Sequence, residues 1–185
     1  SMSDADEPVT LEAHTSAVED RMQQIITRID APLSVTGDQL KMAARFHDAG
    51  KTHPRFQRRM GATPDDTALA KPRPGWTADR GDGWRHEQLS CAYAQANTDD
   101  PVVTVVVGAH HGHGRCLFDR DLDSLLDGWE GCDSPVVSAA AALFGPGGSY
   151  ERDRATVQRS LGVHGLAHAE ALLRCADMQV SREGG

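Results

Sequence analysis

Five histidines and two aspartates have the residue types and the order of a two-ion metal site. They are His14, the doublet His47-Asp48, His86, the doublet His110-His111, and Asp177. Imidazoles and carboxylates together suit iron, manganese, cobalt, nickel or zinc. Seven such groups are too many for a single ion that must also keep positions open for substrate. They fit two divalent transition-metal ions that share one carboxylate. Two ions roughly 3.5–4 Å apart can activate a water and stabilise the leaving oxygen in phosphodiester cleavage. Asp48 suits the shared position, because a carboxylate offers two oxygens and an imidazole one free nitrogen. Taken singly, the members say less. His14 equally reads as a core histidine, Asp177 as a surface acid, and only the conjunction singles them out.

The elements that must position these residues read as helices. Leu11, His14, Val18, Met22, Ile25 and Ile29 recur at spacings of three and four, one face of a helix from about Thr10 to Ile29. His14 falls on that face and points inward. A second helix starts near Thr36–Asp38 and puts Leu40, Ala43, Ala44 and His47 on one side. It is expected to break at Gly50, just past the His47-Asp48 doublet. His86 opens a helix towards Asn97. The valine run after Pro101 has strand propensity. Asp99-Asp100 as cap, Pro101 in the first turn and the closing Gly112 favour a buried helix instead. Short helices are expected over 119–129 and 134–144. A long one spans about 150–181, with a break near Gly162. Between them, residues 61–84 carry three prolines and four glycines and read as a long irregular loop.

Composition fits one all-α globular domain over residues 1–185, with residues 1–9 disordered or tag-derived. Hydrophobic residues make up 39% and charged residues 25% of the 185. No apolar run reaches the roughly 18 residues of a membrane span. The N-terminus lacks the basic and apolar regions of a signal peptide. A cytoplasmic monomer is expected. Cys91, Cys116, Cys132 and Cys175 form no Cys-x-x-Cys pair, so they read as reduced, mostly buried thiols and not as a zinc ribbon. A net charge of −8 argues against nonspecific coating of nucleic acid. Local asymmetry runs the other way. Lys51, Arg55, Arg58 and Arg59 bring four cations and no acid directly after the doublet, where an anionic substrate would approach. Residues 119–133 hold six acids and one arginine.

The order His…His-Asp…His…His-His…Asp resembles the HD superfamily of metal-dependent phosphohydrolases. Four phrases narrow the resemblance. They are His47-Asp-Ala-Gly-Lys51-Thr-His-Pro-Arg-Phe-Gln57, Arg85-His-Glu-Gln-Leu-Ser90, Ala109-His-His-Gly-His-Gly114 and Ala176-Asp-Met-Gln-Val-Ser181. They are similar to the HD nuclease domain of the type I CRISPR signature helicase-nuclease, over nearly the whole chain. The resemblance implies an HD-domain helical bundle that cleaves single-stranded DNA, partnered by a helicase domain or subunit and by the CRISPR effector complex. It implies one metal held by His14, His47, Asp48 and Asp177, and a second by Asp48, His86, His110 and His111. Lys51 would face a phosphate oxygen, and Arg55, Arg58 and Arg59 would bind the backbone. Ser181 would lie near substrate. Glu87 would orient a ligand histidine. His53 and His113 are expected at the rim. No Gly-x-x-x-x-Gly-Lys-Ser/Thr phosphate loop occurs, so no helicase domain is expected in this chain, which reads as an excised domain or a separate nuclease subunit.

Two other functions share the ligand set. One is an HD phosphohydrolase acting on nucleotides or cyclic dinucleotides. Against it, the Phe56-Gln57 phrase and the arginines around it favour a polymer. The other is a non-enzymatic docking module in which metal is a structural staple and the acidic segment 119–133 is the docking face.

Overall fold

Five of the eight helices among the described residues start where a side chain accepts from one of the first free N–H groups. The computed structural model describes residues 8–30, 33–63, 65–77, 85–112, 118, 120–129 and 131–184. The Thr10 hydroxyl accepts from Ala13 N at 3.2 Å and opens α1, Leu11–Arg28. Thr36 and Gln39 form a reciprocal capping box that opens α2, Gly37–Phe46. A 3-10 turn at Ala49–Thr52 leads into α3, Pro54–Arg59. There follow α4, His86–Thr98; α5, Pro101–Ala109; α6, Leu122–Leu126; α7, Ser134–Phe144; and α8, Tyr150–Arg182. The described residues contain no strand, so the fold is all-α.

The valine run is helical, as Asp100 and Pro101 predict. The Asp100 carboxylate accepts from Val102 N at 2.8 Å, and Pro101 occupies the first turn. Asp99, in the left-handed region at φ 49°, turns the chain between α4 and α5. Helix α5 is buried from Val103 to Ala109 and packs against α2, α4 and α8. Its valines join Val18, Met22, Leu40, Ala43, Leu173 and Ala176 in the main core. Each fully buried Val, Leu or Met there contributes roughly 1.5–3 kcal/mol of hydrophobic transfer. A smaller core of Leu89, Ala92, Leu125, Val136 and Ala140 lies between α4, α6 and α7. Helix α8 kinks at Gly162 (φ 73°, ψ 164°), at the expected break.

Several expectations need correction. Helix α2 ends at Phe46, before the doublet and not at the glycine. Gly50 is required for a different reason. A Cβ there would run into the His86 carbonyl and sit 2.9 Å from Ser90 N, so the 3-10 turn can lie directly on α4 only without a side chain. The Gly50 N–H donates to the Ser90 hydroxyl at 2.9 Å and fastens that contact. Helix α6 is shorter than 119–129, because Asp121 caps it at Ser124 N (2.8 Å). His53 is fully buried and not at the rim: its Nδ1 accepts from Arg55 N at 3.0 Å and caps α3. Cys91 is buried, but Cys132 is partly exposed and Cys175 exposed. Of the other expectations, His113, Cys116, Asp119, Glu130, residues 1–7 and residues 78–84 lie outside the described residues.

The described part of the 61–84 loop is tied down by backbone bonds, although it forms no helix. Leu11 N donates to Ala68 O (2.7 Å) and Ala70 N to Val9 O (2.9 Å). Gln57 clamps it from the other side: its amide donates to Leu69 O (3.0 Å) and accepts from Leu69 N (2.7 Å). Leu69 and Ala70 in this strap are buried.

Candidate metal centre

The seven residues named from the sequence converge from five places in the fold. His14 comes from α1, His47 from the C-cap of α2, and Asp48 from the bend after it. His86 is the first residue of α4, and His110 caps α5 with His111 following. Asp177 comes from the last third of α8. Candidate ligand atoms of Asp48, His86, His110 and His111 all lie within 4.8 Å of one another, and those of His14, His47 and Asp177 do the same. His14, His47, Asp48 and His110 are essentially inaccessible to solvent.

Asp48 lies between the two groups. Its Oδ1 is 2.9 Å from His86 Nε2. Its Oδ2 is 3.5 Å from both His14 Nε2 and His47 Nε2. Asp177 Oδ1 is 3.1 Å from His14 Nε2 and 3.9 Å from His47 Nε2.

His47 and His110 are oriented by the same device. A helix leaves its last carbonyls without partners. The Nδ1–H of His47 donates to Ala44 O at 2.7 Å, and that of His110 donates to Val107 O at 2.5 Å. A carbonyl can only accept, so the proton is on Nδ1 and the Nε2 lone pair is bare. The Nε2 atoms of His47 and His110 are buried with no hydrogen-bond partner. Orphaned buried polar atoms are rare and call for a cause. Here both are good metal donors and are aimed together, so the residues fit divalent ions.

The electrostatics point the same way. Burial, followed by the neighbouring imidazoles His111, His47 and His86, holds His110 well below the usual histidine range. Burial also lowers His47 and His111, so these rings stay neutral and able to ligate. For Asp48 burial acts upward, but His47, Lys51 and His86 together outweigh it, and the carboxyl stays well below its usual value. Asp177 is likewise lowered, burial being outweighed chiefly by the contact with His14.

The residues expected around the ligands divide. Lys51 Nζ donates to Asp48 Oδ2 at 2.6 Å and to Ala70 O at 3.2 Å. Ser181 Oγ donates to Asp177 Oδ1 at 3.4 Å, next to the site. Glu87 is buried, but its Oε2 is 3.8 Å from His86 Nδ1, too far for a hydrogen bond. Arg59 stacks over Phe56 at 5.7 Å, and the Phe56 ring lies edge-on to His86 at 5.4 Å. Arg58 and Arg55 lie on α3, and Arg58 lines a side cleft with Thr52, Gln57 and Asp66. Gln57 holds the protein's own backbone at Lys51 and Leu69, so its place in the phrase reflects architecture. Sequence reading missed Lys71, whose Nζ donates to Ser181 O at 3.0 Å beside Asp177. A lone lysine in an aperiodic loop carries no spacing signal.

A helical domain with paired imidazole and carboxylate groups around a shared aspartate is the architecture of a metal-dependent HD hydrolase. The chain belongs to the family of the HD domain of Cas3, which it matches over residues 9–182. No curated protein and no solved structure matches it. Among the described residues no helix is long and apolar enough to cross a membrane.

Proposed function

We propose that this domain cleaves single-stranded DNA phosphodiesters with two divalent transition-metal ions, in CRISPR interference. It would act with a helicase domain or subunit and the effector complex in the cytoplasm. The observation that supports this reading best is Asp48, with one oxygen towards His86 and the other towards His14 and His47. His14, His47, Asp48 and Asp177 would hold one ion, and Asp48, His86, His110 and His111 the other. Bound ions of this kind activate water and neutralise charge on the phosphate. The chain's own residues do the rest. The Ala44 and Val107 carbonyls fix the ligating tautomers of His47 and His110. Lys51 offers an ammonium three residues from Asp48 to a phosphate oxygen, Arg55, Arg58 and Arg59 on α3 serve the backbone, and Ser181 approaches the substrate from α8.

Incubation with circular single-stranded DNA and manganese, cobalt or nickel tests the reading. Linearisation is expected from the wild-type protein, and none from His47→Ala or Asp48→Ala variants. Undiminished cleavage by either variant would sink the assignment. Turnover of cyclic dinucleotides without DNA nicking would replace the substrate.

A further inference from the structure

The described end of the 61–84 loop carries two groups that the metal site does not use. Lys71 is held by the Ser181 carbonyl, and the hydroxyl of the same Ser181 reaches Asp177. The residue before it, Ala70, accepts from Lys51. Two ammonium groups thus stand beside Asp48 and Asp177, at the less buried side of the cluster. Lysine capping of the α8 C-terminus explains the Ser181 bond. It does not explain why the strap brings a second cation to the same edge as Lys51.

Five residues on, Trp76 is 51% exposed, the one aromatic among the exposed large hydrophobics of the described residues. It is nevertheless fixed. Its Nε1 donates to Arg59 O at 3.0 Å and its backbone N–H to Arg73 O at 2.9 Å. Its ring lies against Gly61, where φ is +78° and a Cβ would come within 2.6 Å of the indole. A fixed, solvent-facing indole on the same segment as a lysine at the site offers the two groups by which proteins hold single strands, a stacking face and a cation for the backbone. Five residues of extended chain reach at most about 18 Å, a few nucleotides of an extended strand.

We propose that residues 71–76 form the edge of the site that grips a single strand. Lys71 takes a phosphate next to the metal cluster, and Trp76 stacks a base a few nucleotides away. This rests on the single-stranded DNA reading above. Both are binding and positioning residues and touch no metal.

The test is fluorescence anisotropy of a labelled, cleavage-resistant phosphorothioate single strand on the metal-loaded protein, at several salt concentrations. Stacking is worth about 1–3 kcal/mol per base, so Trp76→Ala should weaken binding roughly 5- to 150-fold. Trp76→Phe should recover much of that, and Trp76→Leu, which keeps apolar cover over Gly61, should not. Lys71→Ala should lower the slope of log affinity against log salt by about 0.7, one phosphate contact, and Lys71→Arg should restore it. In cleavage assays the losses should fall on KM and leave kcat near wild type. Wild-type affinity in Trp76→Ala or Trp76→Leu, or an unchanged salt slope in Lys71→Ala, overturns the proposal while DNA cleavage by the wild type stands. A wild-type protein that neither binds nor cuts single strands overturns the underlying reading, and this one with it.

Discussion

His47 and His110 differ from His14 and His86 in what holds their rings. The first pair is locked by backbone carbonyls of the helices it caps. The second pair is oriented by acids: His14 by Asp177 at 3.1 Å, and His86 by Asp48 at 2.9 Å. A backbone partner fixes the tautomer whatever the state of the other ligands. On the proposed ligand assignment a carboxylate partner is itself a ligand, so its loss would disorient the ring as well as empty a coordination position. Each three-residue or four-residue group contains at least one ring of each kind. One preset ring and one acid-dependent ring per group allow ions to be bound without a fully rigid, costly cluster of bare lone pairs.

The strongest way to break that contrast is to remove the acid that both groups share. Asp48→Ala should eliminate measurable cleavage, a loss on the order of a thousandfold or more if several kcal/mol of charge stabilisation depend on the ions. Metal content by mass spectrometry should fall for both positions together. Asp48→Ala protein that keeps one full equivalent of metal would show that Asp48 serves one group only.

Single-ring substitutions should separate the groups. His110→Ala should lose the ion of the Asp48, His86 and His111 group and keep the other. His14→Ala should do the reverse, with Asp177 left mispaired. Activity in each should fall about 100-fold or more, since one ion cannot serve both the attacking and the leaving oxygen. The contrast sharpens in the conservative variants Asp177→Asn and Asp177→Ala. If His14 is oriented by the acid, the asparagine should retain more affinity than the alanine.

The sequence displays the histidine–aspartate cluster more clearly than its surroundings, and the reason is physical. Its members sit on helix faces and ends, where spacing, caps and a doublet leave a pattern. Asp100-Pro101 was enough to turn a strand-like valine run into helix α5, which carries His110. The strap depends on hydrogen bonds with Val9 and Leu11, far away in sequence, and with Gln57, and none of these follows a period. The burial of His53 was hidden for the same reason, since its ring packs on Trp129 at 5.1 Å. Gly50 looked like a helix stop, whereas its role depends on the later approach of α4.

Acidification probes the rings without changing the chain. Burial lowers His47 and His110 below the usual histidine range, and it lowers His53, together with Arg55 and Arg58, to about 4. A histidine whose folded pKa is depressed binds more protons when unfolded. Metal-free stability is therefore full above the unfolded value of about 6.5 and falls as pH drops below it, by up to about 1.4 kcal/mol per pH unit for each such ring. Asp48 and Asp177, also depressed, begin to lose their contribution only near the carboxylate range, about pH 4 and below. Urea melts in chelator between neutral pH and about pH 5 should show the decline. His53→Gln should reduce its slope by one ring while leaving metal binding intact, and an unchanged slope would remove His53 from the account.

Gly50→Ala tests how the cluster is seated. The added methyl meets the His86 carbonyl, which belongs to backbone and cannot swing aside. The expected cost is about 1–3 kcal/mol of stability, as for other overpacked contacts. Because α4 must move, His86 moves with it, and the loss of metal should fall first on the group containing His86, His110 and His111. His14, His47 and Asp177 lie on α1, the end of α2 and α8, and none of these is in the new clash. Equal weakening of both ions would mean that the 3-10 turn, carrying Asp48, yields before α4 does.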